Sequence, residues 1–176
     1  MINLFVSRIF FTYLCRKTSY MDDNEEPEKI LMADDDKDDQ ELFKEAVSKT
    51  NIPAEVTTVD NGKELMKNLK DESQPNPDII FLDINMPLKN GRECLEEIKN
   101  DENLKDIPTV IYTTSTDDKD IKDTFKTGAN LYLAKPNSFN ALVLLLKKIF
   151  TLKWTGTLLK PLWNTFFISE KNISKK

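Results

Sequence analysis

Acidic side chains crowd into one short stretch of the chain, directly after an apolar run. The stretch LMADDDKDDQ, residues 31–40, holds five aspartates within six positions. Carboxylates packed this closely resist joint ionisation unless a cation is present. Oxygen-only ligands select a hard ion such as Mg²⁺, which tolerates few protein ligands and keeps several waters. Because the chain contains no histidine, histidine-dependent nucleophiles and histidine-bound zinc are excluded.

Single polar residues end three further apolar runs. Asp83 closes the run IIFLD, Thr113 closes VIYT, and Lys135 follows NLYLA and precedes a proline. A carboxylate can attack phosphorus and form an aspartyl phosphate. A hydroxyl and an ammonium can then stabilise the phosphoryl oxygens that a metal does not hold. Together these residue types indicate phosphoryl chemistry at an aspartate.

The elements that must position these residues alternate between two hydrophobic periods. Apolar strands are predicted over 29–33, 54–60, 78–84, 108–115 and 130–136. A helical pattern follows each strand, and the last one runs over 138–154 with Ser138 as its N-cap. Gly128 is the expected C-cap of the helix before it. Five such units predict an α/β fold with a parallel sheet covered on both faces.

Ligands of doubly wound sheets bind beyond the carboxyl ends of the strands. With the strand order 2-1-3-4-5, strands 1 and 3 are neighbours at the point where the order reverses. Asp34, Asp35 and Asp83 are therefore expected to converge. Thr113 and Lys135 are expected on the far side of the same concavity.

The composition narrows the classes of partner. The net charge of −5, without a concentrated basic surface, argues against nucleic acid as a ligand. Cys15 and Cys94 do not form a spaced pair, which favours a reducing, cytoplasmic compartment. The apolar run in 1–20 is too short and too interrupted for a membrane span. Residues 1–28 are interpreted as a disordered extension or a start-site artefact, with a membrane-surface anchor as the alternative.

Over residues 29–150, the order of these motifs resembles the receiver domain of two-component response regulators. ILMADDD is similar to the acid-pair strand of that family, FLDINMPLKNG to its phosphoacceptor strand and loop, VIYTTS to its threonine strand, and YLAKP to its Lys-Pro strand. The resemblance implies a (βα)5 flavodoxin-like fold with a five-stranded parallel sheet, over residues 29–153. LDINMP and TTST are most similar to small stand-alone receivers, such as those paired with bacterial phytochromes.

The resemblance implies which residues bind the metal and the phosphoryl group. Asp83 is the implied phosphoacceptor. Asp34 and Asp35 are the implied acid pair that holds Mg²⁺, together with Asp83 and the backbone carbonyl of Asn85. These residues form the implied metal and phosphorylation site.

The resemblance further implies residues that respond to the phosphoryl group. Thr113 is the expected switch hydroxyl, with Thr114 as the alternative. Lys135 is the expected ammonium partner of the phosphoryl group, and Tyr132 is the expected aromatic switch residue. These residues would pass the signal to the neighbouring surface.

The other acids of the first stretch have simpler interpretations. Asp36 is expected to border the pocket without binding the metal. Asp38 and Asp39 are interpreted as helix-start residues, because acids stabilise the positive end of a helix.

The implied function is signalling by phosphotransfer, without general enzymatic activity. A sensor histidine kinase or a histidine phosphotransfer protein is the implied donor, and a downstream protein is the implied target. A Mg²⁺-dependent aspartyl-phosphate phosphatase is an alternative, but it needs an acid two residues after the nucleophile, where this chain has Asn85. A phosphorylation-independent scaffold is another alternative. The aromatic tail, 154–176, is expected to extend the last helix, cover the core or support a homodimer through the 4–5 face, formed by the fourth and fifth strand–helix units.

Overall fold

The computed structural model of the chain describes residues 27–152 and 162–170. Strands and helices alternate from residue 28 onward, and a short helix and strand follow in the described part of the tail. In chain order the elements are β1 (Glu28–Ala33), α1 (Lys37–Ser48), β2 (Ala54–Val59), α2 (Gly62–Leu69), β3 (Ile79–Leu82), α3 (Gly91–Asn100), β4 (Thr109–Thr113), α4 (Asp118–Thr127), β5 (Leu131–Ala134), α5 (Phe139–Phe150), α6 (Trp163–Phe166) and β6 (Phe167–Ile168).

The strands form one parallel sheet in the order β2-β1-β3-β4-β5-β6. The predicted order 2-1-3-4-5 and the doubly wound α/β fold are thereby confirmed. β1 lies beside β3 with Met32 opposite Phe81, so the carboxyl ends of these two strands meet. The sequence pattern did not predict β6, because a strand of two residues carries no periodicity.

Helices cover both faces of the sheet. On one face, Phe43 of α1 and Leu146 of α5 pack in the same apolar cluster as the strands. On the other face, α2, α3 and α4 contribute Leu65, Leu95 and Ile121 to a second cluster. β3 is buried along its whole length between the two layers, which is why its sequence is continuously apolar.

Two predicted helix caps are present in the structure. The hydroxyl of Ser138 accepts a hydrogen bond from the N–H of Ala141 at 3.4 Å and begins α5. Gly128 ends α4 with φ at 106°, a left-handed conformation that favours glycine. Both helices therefore begin or end where the sequence predicts.

The predicted extent of the last helix is wrong, because α5 ends at Phe150 rather than continuing to Trp154. Thr151 closes the helix, and its hydroxyl donates to the carbonyl of Lys148 at 2.8 Å. The N–H of Leu152 bonds only three residues back, which tightens the chain into a turn. The turn leaves no signal in the sequence, because the apolar pattern continues past it. Residues 153–161 lie outside the described ranges.

The described part of the tail covers the edge of the core beside β5. Phe166 is completely buried, with its ring centroid 5.0 Å from that of Phe125 and 6.1 Å from that of Tyr132. β6 then pairs with β5, with Phe167 opposite Tyr132. Covering the core is thus one role of the described tail residues.

The predictions for residues 1–20 lie outside the described residues, and β1 begins at Glu28. Within residues 27–152 and 162–170, no helix combines the length and apolar character needed to cross a bilayer.

Candidate functional site

The end of β1 presents two adjacent carboxylates. The N–H of Asp34 donates to the carbonyl of Val59 at 3.1 Å, which extends the pairing with β2 one residue past the strand. The side chain of Asp34 is buried, whereas Asp35 is exposed. The pair therefore offers one carboxylate inside a pocket and one at its mouth.

The third carboxylate follows β3. Asp83 donates its N–H to the carbonyl of Ala33 at 2.9 Å, and its Oδ1 accepts from the N–H of Ile84 at 2.8 Å. The residue is 7% exposed, so it is shielded without being completely closed off from solvent. Asn85, two residues further on, is exposed in the loop that begins here.

The loop after Asp83 folds back closely onto the end of β3. The N–H of Gly91 donates to the carbonyl of Ile84 at 2.9 Å, and α3 begins at this glycine. A Cβ atom at Gly91 would lie 2.0 Å from the carbonyl oxygen of Asp83, which is far inside van der Waals contact. Any side chain here would push the loop away, so this glycine is required for the position of Asp83.

Lys135 follows β5 and reaches across the pocket. Its Nζ donates to Asp34 Oδ2 at 2.7 Å and to Asp39 Oδ2 at 2.6 Å, and it lies 5.3 Å from the centre of the Tyr112 ring. Burial acts to lower the pKa of Lys135, but the hydrogen bonds to the two carboxylates outweigh it and raise the pKa above its ordinary value. The side chain is therefore an ammonium at neutral pH.

The three carboxylates form a site that suits a divalent cation. Asp34, Asp35 and Asp83 each present a ligand oxygen, and these oxygens lie within 4.8 Å of one another. Burial raises the pKa of Asp34, although Lys135 and the N–H of Asp36 act to lower it. A buried carboxylate beside two others is stabilised by a cation, and an all-oxygen donor set favours Mg²⁺. The residues present therefore fit the metal that the sequence predicts.

The two candidate switch threonines have different environments. Thr113, the last residue of β4, is completely buried, and its hydroxyl accepts from the N–H of Ser115 at 3.3 Å. Thr114 is exposed. The structure thus buries Thr113 at the end of β4 and leaves Thr114 on the surface.

Tyr132 points into the protein from β5. It is completely buried, and its hydroxyl donates to the carbonyl of Ser115 at 3.0 Å. Burial raises the pKa of Tyr132 to about 12, with the bond to Ser115 acting to lower it, so the phenol is neutral at physiological pH. Ser115 also donates its hydroxyl to Asp120, which in turn pairs with Arg92 of α3. Ser115 therefore connects Thr113 and Tyr132 to α3 and α4.

The sequence prediction missed two residues of α1 that contact members of the site. Asp39 was interpreted only as a helix-start residue, yet it contacts the pocket ammonium. Gln40 is buried, and its Nε2 donates to the carbonyl of Asp34 at 2.6 Å and to Asp60 Oδ1 at 2.9 Å. Both residues precede the buried Phe43 by one helical turn, and this spacing places them on the face of α1 that meets the sheet.

The remaining acids of the stretch lie at the start of α1, and the expectation that Asp36 borders the pocket stays a prediction. Asp36 is the N-cap of α1, and its carboxylate accepts from the N–H groups of Asp38 and Asp39. Asp38 is exposed in the first turn, where a negative charge favours the helix.

Comparison with known proteins shows which family combines this fold with this site. The family described as "Response regulator receiver domain" matches residues 30–147. The response regulator Rcp1 of Synechocystis sp. is 33% identical over 144 residues, which cover 80% of this chain and 97% of Rcp1.

Solved structures agree with this similarity. The phosphorylated cyanobacterial phytochrome response regulator RcpA is 38% identical, with a TM-score of 0.65 over 70% of this chain and 91% of RcpA. The Mn²⁺-bound form of Rcp1 is 32% identical, with a TM-score of 0.67 over 74% of this chain and 100% of Rcp1. The chain belongs to the response regulator receiver family of two-component signalling.

Proposed function

We propose that Asp83 accepts a phosphoryl group from the phosphohistidine of a sensor histidine kinase or a histidine phosphotransfer protein. The observation that carries this proposal is the convergence of the Asp34, Asp35 and Asp83 carboxylates within 4.8 Å, beside the ammonium of Lys135. This arrangement supplies a nucleophile, a metal site and a cation for the transferred group in one pocket.

The transfer forms one bond and breaks one bond. A carboxylate oxygen of Asp83 attacks phosphorus, a new P–O bond forms, and the P–N bond to the donor imidazole breaks. The electron pair of that bond stays on the imidazole nitrogen, which takes up a proton. Asp83 is suited to this role because the N–H of Ile84 fixes its Oδ1 and the residue is not completely closed off from solvent.

Asp34, Asp35, Asp83 and the backbone carbonyl of Asn85 would hold Mg²⁺. When bound, this ion supplies positive charge against the phosphoryl oxygens and allows the three carboxylates to ionise together. Asp34 and Asp83 lie at the ends of neighbouring strands, so the rigid sheet fixes their separation.

Lys135 and Thr113 are the proposed partners of the remaining phosphoryl oxygens. The Thr113 hydroxyl accepts from the N–H of Ser115, and a turn of that hydroxyl toward the phosphoryl group releases this bond. Ser115 also accepts from Tyr132, so the aromatic side chain and the β4–α4 loop respond together. The result is a population shift of the 4–5 face between two states.

The test of the site is labelling with radioactive acetyl phosphate in the presence of Mg²⁺. We expect the wild-type protein to be labelled, and expect a chelator or the substitution Asp83→Asn to abolish the label. Asp78→Asn is the matched control, because Asp78 lies at the opposite end of the same strand and binds the backbone N–H of Lys29. Labelling of Asp83→Asn at the wild-type level would refute the proposal.

The alternatives have less support. A phosphatase of the aspartyl-phosphate class needs an acid two residues after its nucleophile, where this chain has the amide Asn85. A phosphorylation-independent scaffold has no use for three converging carboxylates, since a buried charge such as that of Asp34 is costly. We therefore propose signalling without general enzymatic activity.

The proposed output is a protein contact at the 4–5 face. In the tail that lies against this face, Leu162 is 69% exposed and Trp163 is 50% exposed, and such apolar side chains suit a protein partner or a homodimer. A donor kinase and a downstream protein complete the proposed pathway. A cytoplasmic location is part of the same proposal, supported by Cys94, which is a free buried thiol.

A further inference from the structure

The ammonium of Lys135 is shared between two carboxylates of different origin. Its Nζ lies 2.7 Å from Asp34 Oδ2 and 2.6 Å from Asp39 Oδ2. Asp34 is one of three carboxylates, with Asp35 and Asp83, whose oxygens lie close enough together to hold a metal ion. Asp39 comes from the first turn of α1 instead, and it meets the pocket through Lys135.

We propose that Asp39 is a positioning residue that holds Lys135 before phosphorylation and competes with the phosphoryl group for it afterwards. The proposal rests on the function proposed above for Asp83. Its basis is the placement of a second carboxylate on an ammonium whose side chain is only 10% exposed.

The contacts of Asp34 explain why a second carboxylate matters. Asp34 Oδ1 accepts from the N–H of Asp36 at 3.1 Å, and Asp34 Oδ2 accepts from Lys135. Both Asp34 oxygens therefore already accept a hydrogen bond, and a cation bound by Asp34 competes with one of these two donors. Asp39 is then the carboxylate that keeps the ammonium in its place.

Three consequences follow from this arrangement. First, the charge of Asp39 offsets the repulsion between the Lys135 ammonium and a neighbouring divalent cation, so Asp39 strengthens Mg²⁺ binding. Second, Lys135 is kept from pairing with Asp83, whose attacking oxygen stays available. Third, after phosphorylation Lys135 divides its bonds between Asp39 and the phosphoryl group, which weakens its hold on that group.

The experiment compares Asp39→Asn with Asp38→Asn in the full chain. Asp38 is the matched control because it carries the same charge in the same helical turn, is exposed, and lies next to Asp39. The first readout is the Mg²⁺ dissociation constant, measured by titration calorimetry without a phosphoryl donor. The second is the lifetime of the label after acetyl phosphate has been removed.

For Asp39→Asn we expect Mg²⁺ binding to weaken by about fivefold, the low end of ordinary coupling between two sites. We expect the lifetime of the label to lengthen by a similar factor, because Lys135 then binds the phosphoryl group alone. Asp38→Asn is expected to change neither value by more than about twofold. Asp39→Glu, which keeps the carboxylate, is expected to restore both values toward the wild type.

Equal effects of Asp39→Asn and Asp38→Asn on either readout would overturn the proposal, since a general charge effect would then explain them. Unfolding midpoints of the variants identify any loss of the fold. The failure of the proposed function has a different signature, namely wild-type protein that binds Mg²⁺ but is not labelled. The magnesium titration then decides the role of Asp39 by itself.

Discussion

Two partly buried lysines lie at opposite edges of the same sheet, and they differ in the kind of oxygen that they contact. Lys135, at the carboxyl edge, donates to the carboxylates of Asp34 and Asp39. Lys99, near the end of α3 at the amino edge, donates to the carbonyl oxygens of Lys105 and Ile107 at 3.0 and 2.9 Å. Its third acceptor is the side-chain amide oxygen of Asn130, at 3.2 Å.

The difference in partners reverses the effect on the pKa. Burial lowers the pKa of Lys99 to about 8, and the distant charge of Asp106 opposes this only weakly. Burial also acts to lower the pKa of Lys135, but two charged partners outweigh it and the pKa is raised. Neutral acceptors satisfy the donors of an ammonium without compensating for its lost hydration, whereas carboxylates do both.

The comparison separates a lysine with a proposed functional role from a structural one. Lys135 is positively charged at a position where a phosphoryl group would arrive. One of its partners, Asp34, is a candidate metal ligand. Lys99 ties α3 to the 101–108 loop and to the start of β5, and its contacts include no member of the carboxylate cluster. Substitution of Lys135 should therefore change phosphoryl labelling, whereas substitution of Lys99 should change stability.

The largest effect is expected from Lys135→Met. Removal of the ammonium takes away one of the groups that stabilise the transferred phosphoryl group, so we expect the rate of labelling by acetyl phosphate to fall on the order of 10²-fold. Lys99→Met is the matched control and should be labelled at close to the wild-type rate. If both variants lose labelling equally, or neither does, the functional distinction between the two lysines is wrong.

The next effect concerns the pH dependence of stability. In the folded protein Lys99 loses its proton near pH 8, whereas the unfolded chain keeps that proton until about pH 10.5. Between these values the unfolded state binds more protons, so the contribution of Lys99 to the free energy of unfolding rises with pH. The full rise amounts to as much as about 3 kcal/mol and is absent from Lys99→Met.

Urea unfolding of the wild type and of Lys99→Met from pH 7 to pH 10 measures the contribution of Lys99 to the free energy of unfolding. Other lysines and tyrosines titrate in both proteins, so the difference between the two curves isolates Lys99. We expect the difference to grow in favour of the wild type as the pH rises, and parallel curves would show that Lys99 keeps an ordinary pKa. Lys99→Arg, which stays charged throughout the range, should also lack the rise.

The sequence predicted one of these lysines and not the other, for physical reasons. Lys135 ends an apolar strand and precedes a proline, so the pattern of the strand places it at the carboxyl edge. The alternation of strands and helices predicts a parallel sheet, and the order 2-1-3-4-5 goes with the flavodoxin-like fold that the family resemblance implies. Lys99 occupies an ordinary position near the end of an amphipathic helix, and its burial depends on a loop whose path no local pattern specifies.

The same limit applies to the details of the pocket. The convergence of Asp34, Asp35 and Asp83 follows from strand order, because neighbouring strand ends bring their next residues together. The contact between Asp39 and Lys135 joins side chains 96 residues apart in the chain, and charge patterning within one helix does not encode it. The pairing of β6 with β5 is a tertiary contact of two residues and leaves no periodic signal.

The smallest effect is expected from an exposed lysine with a charged partner. Lys70 pairs with Glu97 in the structure, and the hydrogen bond to this carboxylate raises the pKa of Lys70, as carboxylates do for Lys135. Its side chain is 54% exposed, however, so water already stabilises the ammonium and the pair is screened by salt. Over pH 7 to pH 10, we expect Lys70→Met to shift the pH dependence of the urea midpoint by a small fraction of the shift that Lys99→Met causes, and to leave labelling unchanged. A shift as large as that of Lys99→Met would mean that partner charge matters without burial, and the contrast between the two buried lysines would then need another cause.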